Sequence, residues 1–306
     1  MSVGAHEMRH DLFVYDSDDE FARFLGLFAE EGVEAGQPVL VVTDPRRRAL
    51  LTDTLRGSDA ETVTFIDRDG FYTRPEAALA DYDAALAELL RTGAEAVRIY
   101  GELPERKTAQ EWGAWLRYEA IIERAFAGQP IWLTCGYDSR AVPPEVLDGA
   151  WRAHREVHWH GWHDNPLYED PAAIVRSLEP AHDELPGLRE LSLVQDMPGF
   201  RKLLARELAA DGVTDVAAAE MVEAAVAVLV NAERHGYGLR RLRAGAVGER
   251  FVCEISDAGP GLGDPFAGWL PPRRRDAPVG LWNARQLTRR LDLLSSPGGL
   301  TVRLWV

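Results

Sequence analysis

Along the first half of the chain, short unbroken apolar runs alternate with stretches whose apolar residues recur every three or four positions. The runs are LFVY at 12–15, VLVV at 39–42, VTFI at 63–66, AVRIY at 96–100 and IWLTC at 131–135. Continuous hydrophobicity over four or five residues predicts strands buried on both faces, as in a parallel sheet. Helical periods at 18–35, 75–92 and 109–127 lie between the runs. The alternation predicts an α/β domain, a central parallel sheet with flanking helices.

The pattern changes after PPEVLDGAWRAHRE. The stretch 157–187 is rich in His, Pro, Asp and Trp and holds no sustained period, apart from a short helix expected around 171–178. It reads as a linker, taken as 158–187, between a domain at 1–157 and another at 188–306. In the second domain a strand-like LRELSLV is followed by a helix near 197–210 and a long apolar helix from 214 to about 234. Two strands come next, RRLRAGAV and RFVCEIS, then a Gly- and Pro-rich stretch, a helix at 280–291, and a final pair, LDLLSS and LTVRLWV, across PGG. That order predicts an α+β sandwich, with helices on one face of a mostly antiparallel sheet.

A length of 306 residues agrees with two domains. With 46% hydrophobic and 27% charged residues there is enough apolar surface for real cores. No apolar run approaches 18 residues, and MSVGAHEMRHD lacks the basic start and apolar stretch of a signal peptide, so the expectation is a cytoplasmic protein with no membrane partner. Cys135 and Cys253 are far apart and form no CxxC, which argues against a disulfide framework or zinc ribbon. The net charge of -15 lies entirely before Asp183, where 33 acidic residues face 18 basic ones; from Asp183 onward there are 16 of each. Such a balance repels a phosphate backbone, so nucleic acid is not an expected partner.

In the second domain a strand ends in Asp257 and runs into AGPGLGDP, the spacing DxGxG at Asp257, Gly259 and Gly261. A carboxylate followed by glycines can accept from an exocyclic amine while the backbone comes close to a flat ring. The long helix before it ends in NAERHGYG, with Asn231 polar among apolar neighbours and Gly236 beyond it, and PVGLWNARQL places Gly280 at a helix start. This ordered set resembles the N box and two glycine boxes of the GHKL ATPase family, and most of all its bacterial anti-sigma factor kinases, over residues 188–306. The resemblance implies ATP and Mg2+ as cofactors, with Asn231 as the magnesium ligand, Asp257 as the adenine contact, and Gly259 and Gly261 as the ring-approach glycines. It further implies Gly280 as a phosphate-loop glycine, Thr301 as an adenine contact through water, and residues 262–279 as the ATP lid, with Arg273, Arg274 and Arg275 beside phosphates or an acidic partner. Two positions depart from the pattern. The usual Glu one turn before the Asn is Ala227, so the general base is missing, and the GxG before the Leu is Pro278, Val279, Gly280. Glu223 lies two turns before Asn231 and reads as a solvent carboxylate.

The first domain has no GxxxxGK[ST]. Its predicted strands end in polar residues: Tyr15 and Asp16, Thr43 and Asp44, Asp67, Glu102, Tyr137 and Asp138. Open α/β sheets bind ligands at such ends. Helix capping is sufficient explanation for Asp16, Asp44 and Asp67, but not for Glu102 or Cys135. The stretches HDLFVYDSDDEFARFL, EGVEAGQPVLVV, IYGELP and RYEAIIERAFAGQPIWLTCGYDSRAVPPEV, with the following AHREV, resemble the MEDS sensory domain of bacterial regulators over about residues 8–157. The resemblance implies a RecA-like fold, a parallel sheet with flanking helices, and a small organic ligand sensed by His10, Glu102, Cys135, Tyr137 and Asp138, with Glu119 and His154 among the characteristic positions. The usual Trp after GEP is absent from GELPER. A separate reading concerns His154, His158, His160 and His163: the first two are four apart, as on one helix face, and with Asp164 the run could form a zinc or nickel site of a metal-dependent enzyme.

Together these readings describe a ligand-sensing module coupled to an ATP-binding module of the anti-sigma type that works by nucleotide-gated protein binding, with weak or no kinase activity. Its partners are expected to be an anti-anti-sigma (STAS) protein, a sigma factor, or both; homodimerisation is left open. The alternatives are an active serine or histidine protein kinase and the metal-dependent enzyme.

Overall fold

The computed structural model describes residues 8–55, 59–104, 108–180, 182–194, 196–270 and 280–306. The chain divides into two compact units, Met1–Val175 and Arg176–Val306. Among the described residues no helix is long and apolar enough to cross a membrane.

The first unit is a parallel-rich α/β sheet. Its elements are β1 (Arg9–Tyr15), α1 (Asp18–Glu34), β2 (Val39–Thr43), α2 (Pro45–Thr54), α3 (Asp59–Thr62), β3 (Val63–Asp67), α4 (Arg68–Phe71), α5 (Pro75–Arg91), β4 (Val97–Glu102), α6 (Ala109–Ala125), β5 (Ile131–Asp138), α7 (Pro144–Ala153), β6 (Glu156–His158) and β7 (Trp162–Asp164). The strand order is β3-β2-β4-β5-β1-β6-β7, parallel except for the terminal β6–β7 pair. The linker reading of 158–187 thus begins inside the sheet: β6 pairs with β1, and the β6–β7 hairpin extends its edge. The helix expected around 171–178 is α8 (Pro171–Ser177), at the division between the units.

Because side chains alternate along a strand, neighbouring residues of β1, β4 and β5 serve opposite faces. Phe13, Tyr15, Tyr100 and Trp132 face α1 and pack with Phe21, Leu25 and Phe28. His10, Leu12, Gly101, Cys135 and Tyr137 face the other way, toward the α5–α6–α7 layer, where a Cβ on Gly101 would overlap the hydroxyls of Tyr72 and Tyr82. The helices start where the sequence supplies caps. Ser17 caps α1, followed by Asp18, Asp19 and Glu20 in the first turn, and Thr108 and Glu111 form a reciprocal capping box on α6. Asp44 and Asp67 cap α2 and α4 as expected, whereas Asp16 caps nothing and instead donates its amide to Glu20.

The second unit contains β8 (Arg189–Glu190), α9 (Met197–Ala210), α10 (Asp215–His235), β9 (Leu239–Val247), β10 (Arg250–Asp257), α11 (Gly280–Gln286), β11 (Arg290–Ser296) and β12 (Gly299–Trp305). Its antiparallel sheet has the order β11-β12-β10-β9-β8. One face, with Phe251, Cys253, Ile255, Leu300, Val302 and Leu304, packs on Phe200, Leu204, Met221, Ala224 and Val228 of the helices. The other carries Glu254 between Arg243 and Arg303, each donating to it at 2.8 Å. The helix expected over 280–291 stops at Gln286, because the chain from Arg290 pairs with β12 along its whole length.

Candidate functional site

The five residues assigned to a sensed ligand do not line one pocket. The alternation described above sends them to opposite faces of the sheet, where they form two separate buried clusters.

On the α6–α7 face, Glu119 of α6 lies between β5 and the end of α7. Its Oε2 accepts from the Cys135 thiol at 3.2 Å and its Oε1 from the Tyr137 hydroxyl at 2.8 Å. His10 Nε2 stands 3.4 Å from Cys135 Sγ and 3.5 Å from Glu119 Oε2; His154 Nε2 stands 3.7 Å from the same oxygen. The two imidazole centroids are 4.1 Å apart. All four of His10, Glu119, Cys135 and His154 are buried, and their ligand atoms lie within 4.8 Å of one another. Burial pushes His10 down to about 4 and His154, which also has His10 beside it, to about 3, so both are neutral imidazoles. Burial, with Glu119 as neighbour, raises the Cys135 thiol well above its ordinary value. A thiol so held is a poor nucleophile, which argues against Cys–His catalysis here.

Beside this cluster, between α6 and α7, is a pocket of about 310 Å³ lined by Trp112, Gly113, Trp115, Leu116, Tyr137 and Ala150 among others. Tyr137 belongs to both: it lines the pocket and its hydroxyl donates to Glu119. Mostly apolar walls with a few convergent polar groups are the usual make-up of a small-molecule site.

On the α1 face, at the carboxyl ends of β2 and β4, Glu102 accepts from Tyr15 at 2.5 Å and Thr43 at 2.9 Å, and Arg47 Nε is 3.1 Å away. Arg47 also reaches Asp44 at 2.6 Å and Asp138 at 2.8 Å. The chain leaves β2 toward β3 and β4 toward β5, which makes this the switch point of the sheet. Burial raises the Glu102 carboxyl above its ordinary range although Arg47 opposes it; at Asp138 burial works the same way, but Arg140 and Arg47 hold the group below its usual value. Arg47, which the sequence alone does not single out, contacts three acids, of which Asp44 also has Arg68 and Asp138 also has Arg140. Replacement of Arg47 by Met should leave the buried Glu102 without its nearest cation, while Asp138 keeps Arg140 at 2.7 Å, a loss of about 3 kcal/mol in urea unfolding. A change under 0.5 kcal/mol would remove Arg47 from that role.

The His154–His163 run does not assemble. Helix α7 ends at Ala153, so His154 and His158 are not one turn apart on a helix; His154 caps α7 and turns to Glu119, while His158 is in β6. His158 and Trp162 pack on Phe24 with centroids 4.7 and 5.9 Å away. His160 lies near Glu20, and His163 Nε2 meets the Trp159 carbonyl oxygen at 3.1 Å. The metal-dependent enzyme built on that run is therefore set aside.

In the second unit, Asp257 is buried at the end of β10, and its Oδ1 accepts from the amides of Gly259 and Leu300, each at 2.9 Å. A Cβ on Gly236 would overlap this carboxyl, one on Gly259 would come within 2.8 Å of the Gly236 Cα, and one on Gly299, at φ 139°, would overlap the Asp257 carbonyl. The backbone of three glycines thus packs closely against Asp257. Gly261, at φ 82°, lies against Ser295 and Ser296. Asn231 of α10 adjoins Gly280 of α11, where a Cβ would lie 3.4 Å from its Oδ1. Thr301 is on the opposite face, 2.8 Å from Ser256 Oγ, and the residue of β12 beside Asp257 is Leu300. A shift of one position in a strand changes the face, so Thr301 does not stand with Asp257. Ala227 is half-buried against the core, and Glu223 is exposed and paired with Arg201 at 2.9 Å. Of the expected lid, Trp269 is buried with the Arg285 guanidinium 3.9 Å from its ring centroid. Arg273, Arg274, Arg275, Pro278 and Val279 lie outside the described residues, as do Glu105 and Arg106 of GELPER.

The sequence reading did not single out Gly299 or Leu300. Gly299 stood in PGG as mere turn punctuation, and only the strand parity of β12 would have picked Leu300 over Thr301.

No curated protein matches the chain. Residues 9–155 match the family described as MEDS, the MEthanogen/methylotroph, DcmR Sensory domain, and this stretch of the first unit, which holds the Glu119 cluster and its neighbouring pocket, is thus similar to a sensory domain.

Proposed function

We propose that the protein is a cytoplasmic signalling regulator in which the first unit binds a small organic ligand and the second, a GHKL-type sandwich, binds ATP with Mg2+ and engages an anti-anti-sigma (STAS) protein or a sigma factor. The observation that carries this reading is the close glycine packing at Asp257, with Asn231 beside Gly280: a carboxylate packed against Gly236, Gly259 and Gly299 suits a flat heteroaromatic ring that must approach backbone closely. The fit is in the close backbone packing at Asp257, whose Oδ1 is fixed by the Gly259 and Leu300 amides. There Asp257 would accept from an exocyclic amine, Asn231 would hold the magnesium, and Gly259, Gly261 and Gly280 would admit the ring and phosphates. When bound, the nucleotide supplies concentrated negative charge beside α10 and α11, a change that a partner surface can read. Ala227 offers no carboxylate to activate a hydroxyl, which favours gated binding over a serine or histidine kinase.

The sensory half is served by the pocket between α6 and α7. Gly113 is on its wall and a Cβ there meets nothing within 4 Å, so a side chain added at this position of α6 starts in open space. Gly113→Leu should therefore raise the ligand-free melting temperature slightly, through a helix propensity gain of roughly 0.8 kcal/mol, and abolish any melting shift that small alcohols, amines or aromatic molecules give the parent. An unchanged ligand response in Gly113→Leu would place the sensing site elsewhere.

A further inference from the structure

We infer that His10, Glu119, Cys135 and His154 together bind one divalent transition metal of the zinc type in a closed, four-ligand site within the first unit. Neither the match to a sensory domain nor the proposed nucleotide site assigns this centre, and the inference stands without the ATP reading.

The donor set comes first. Two imidazoles, one thiolate and one carboxylate are borderline-soft ligands that suit zinc or its cobalt substitute, and poorly suit magnesium or calcium. The spacing comes next. Zinc bonds of about 2.0 Å to N or O and about 2.3 Å to S, arranged tetrahedrally, require ligand atoms about 3.3–3.6 Å apart. The observed separations are 3.4 Å for His10 Nε2 to Cys135 Sγ, 3.5 Å for His10 Nε2 to Glu119 Oε2, 3.2 Å for Cys135 Sγ to Glu119 Oε2 and 3.7 Å for His154 Nε2 to Glu119 Oε2. Four of the six edges thus have about the required length and the two others, from His154 Nε2 to His10 Nε2 and to Cys135 Sγ, are within 4.8 Å, although the four atoms come from β1, α6, β5 and the end of α7.

An independent feature points to a cation. His154 Nδ1 is 2.7 Å from the Ala150 carbonyl oxygen, a contact that requires the ring proton on Nδ1 and leaves Nε2 as a bare lone pair. That Nε2 is buried with no hydrogen-bond partner, and it faces Glu119 Oε2, another acceptor. Two buried acceptors facing each other repel unless something positive lies between them. The Ala150 carbonyl is also the kind of outer partner that orients a metal-binding histidine, as the Tyr137 hydroxyl orients Glu119.

Charge balances as well. On binding, a metal–sulfur bond forms, the Cys135 S–H bond breaks and its proton leaves to solvent; Glu119 binds as carboxylate and both histidines bind neutral, with no change of oxidation state. A dication, a thiolate and a carboxylate sum to zero, which is the condition for burying such a site at low cost. With four protein ligands and no open position, the metal joins β1, β5, α6 and α7 beneath the α6–α7 pocket rather than performing chemistry.

The test uses the full chain without a histidine tag, produced with cobalt supplied during growth so that the closed site is offered metal as it folds. The expected result is one cobalt per chain, with the intense ultraviolet thiolate-to-cobalt band and the visible bands of tetrahedral coordination. Cys135→Ala should lose the thiolate band, and Tyr137→Phe, which keeps every ligand, should weaken metal retention against a competing chelator by about tenfold. A folded parent protein with no cobalt spectrum would overturn the inference, as would a thiolate band that survives in Cys135→Ala. The parent spectrum decides the matter even if a variant does not fold.

Discussion

Incubated with MgATP and an anti-anti-sigma partner, the unmodified protein is expected to transfer phosphate at close to background rate. Phosphoryl transfer depends chiefly on positioning and charge stabilisation, but a base that orients the attacking hydroxyl contributes roughly 10²- to 10⁴-fold. The position that would carry it is Ala227, one turn before Asn231 on α10 and packed against the core of the second unit. The other carboxylate on that side, Glu223, is exposed and engaged by Arg201, which draws it away from an active role and holds it below its usual carboxylate range. Ala227→Glu should recover only part of a kinase rate, since Pro278, Val279 and Gly280 stand where the proposed GHKL likeness expects GxG. Robust labelling of a partner serine by the parent protein, read with radiolabelled ATP, would overturn the nucleotide-gated account and return the active kinase.

The second large effect is expected at Asp257. Asn is the same size and keeps an oxygen that can accept from the Gly259 and Leu300 amides, so the fold and the nucleotide-free melting temperature should hold. What changes is the other atom of the group, which becomes a donor where an exocyclic amine would also donate. Losing a charged hydrogen bond and gaining a repulsive one should weaken MgATP binding by about 100-fold, or about 3 kcal/mol. If Asp257→Asn binds as the parent does, the close glycine packing at that carboxylate serves folding alone.

How much was legible in advance follows from what each signal measures. Buried parallel strands and amphipathic helices announce themselves by local hydrophobic period, and for that reason LFVY, VLVV and the helix at 75–92 were visible as β1, β2 and α5. Placing polar residues at strand ends was equally local. Which of them meet is decided by strand parity and by the neighbouring helices: Glu102 and Cys135 pair with Gly136 and Gly101, one step out of phase, and so face opposite ways. The same parity separates Thr301 from Leu300. Sequence spacing misled most clearly at His154 and His158, where a four-residue interval straddles a helix end, and the true companions of His154 are at positions 10, 119 and 135. No period in a sequence reports a cluster drawn from four elements.

The central claim, that the second unit is a nucleotide-binding module, is tested most directly by calorimetric titration of MgATP into the 306-residue chain. The account predicts a saturable heat at one nucleotide per chain, lost when magnesium is omitted or Asn231 is replaced by Ala. A flat titration, with the protein folded and at concentrations well above those used for the partner assays, would contradict it.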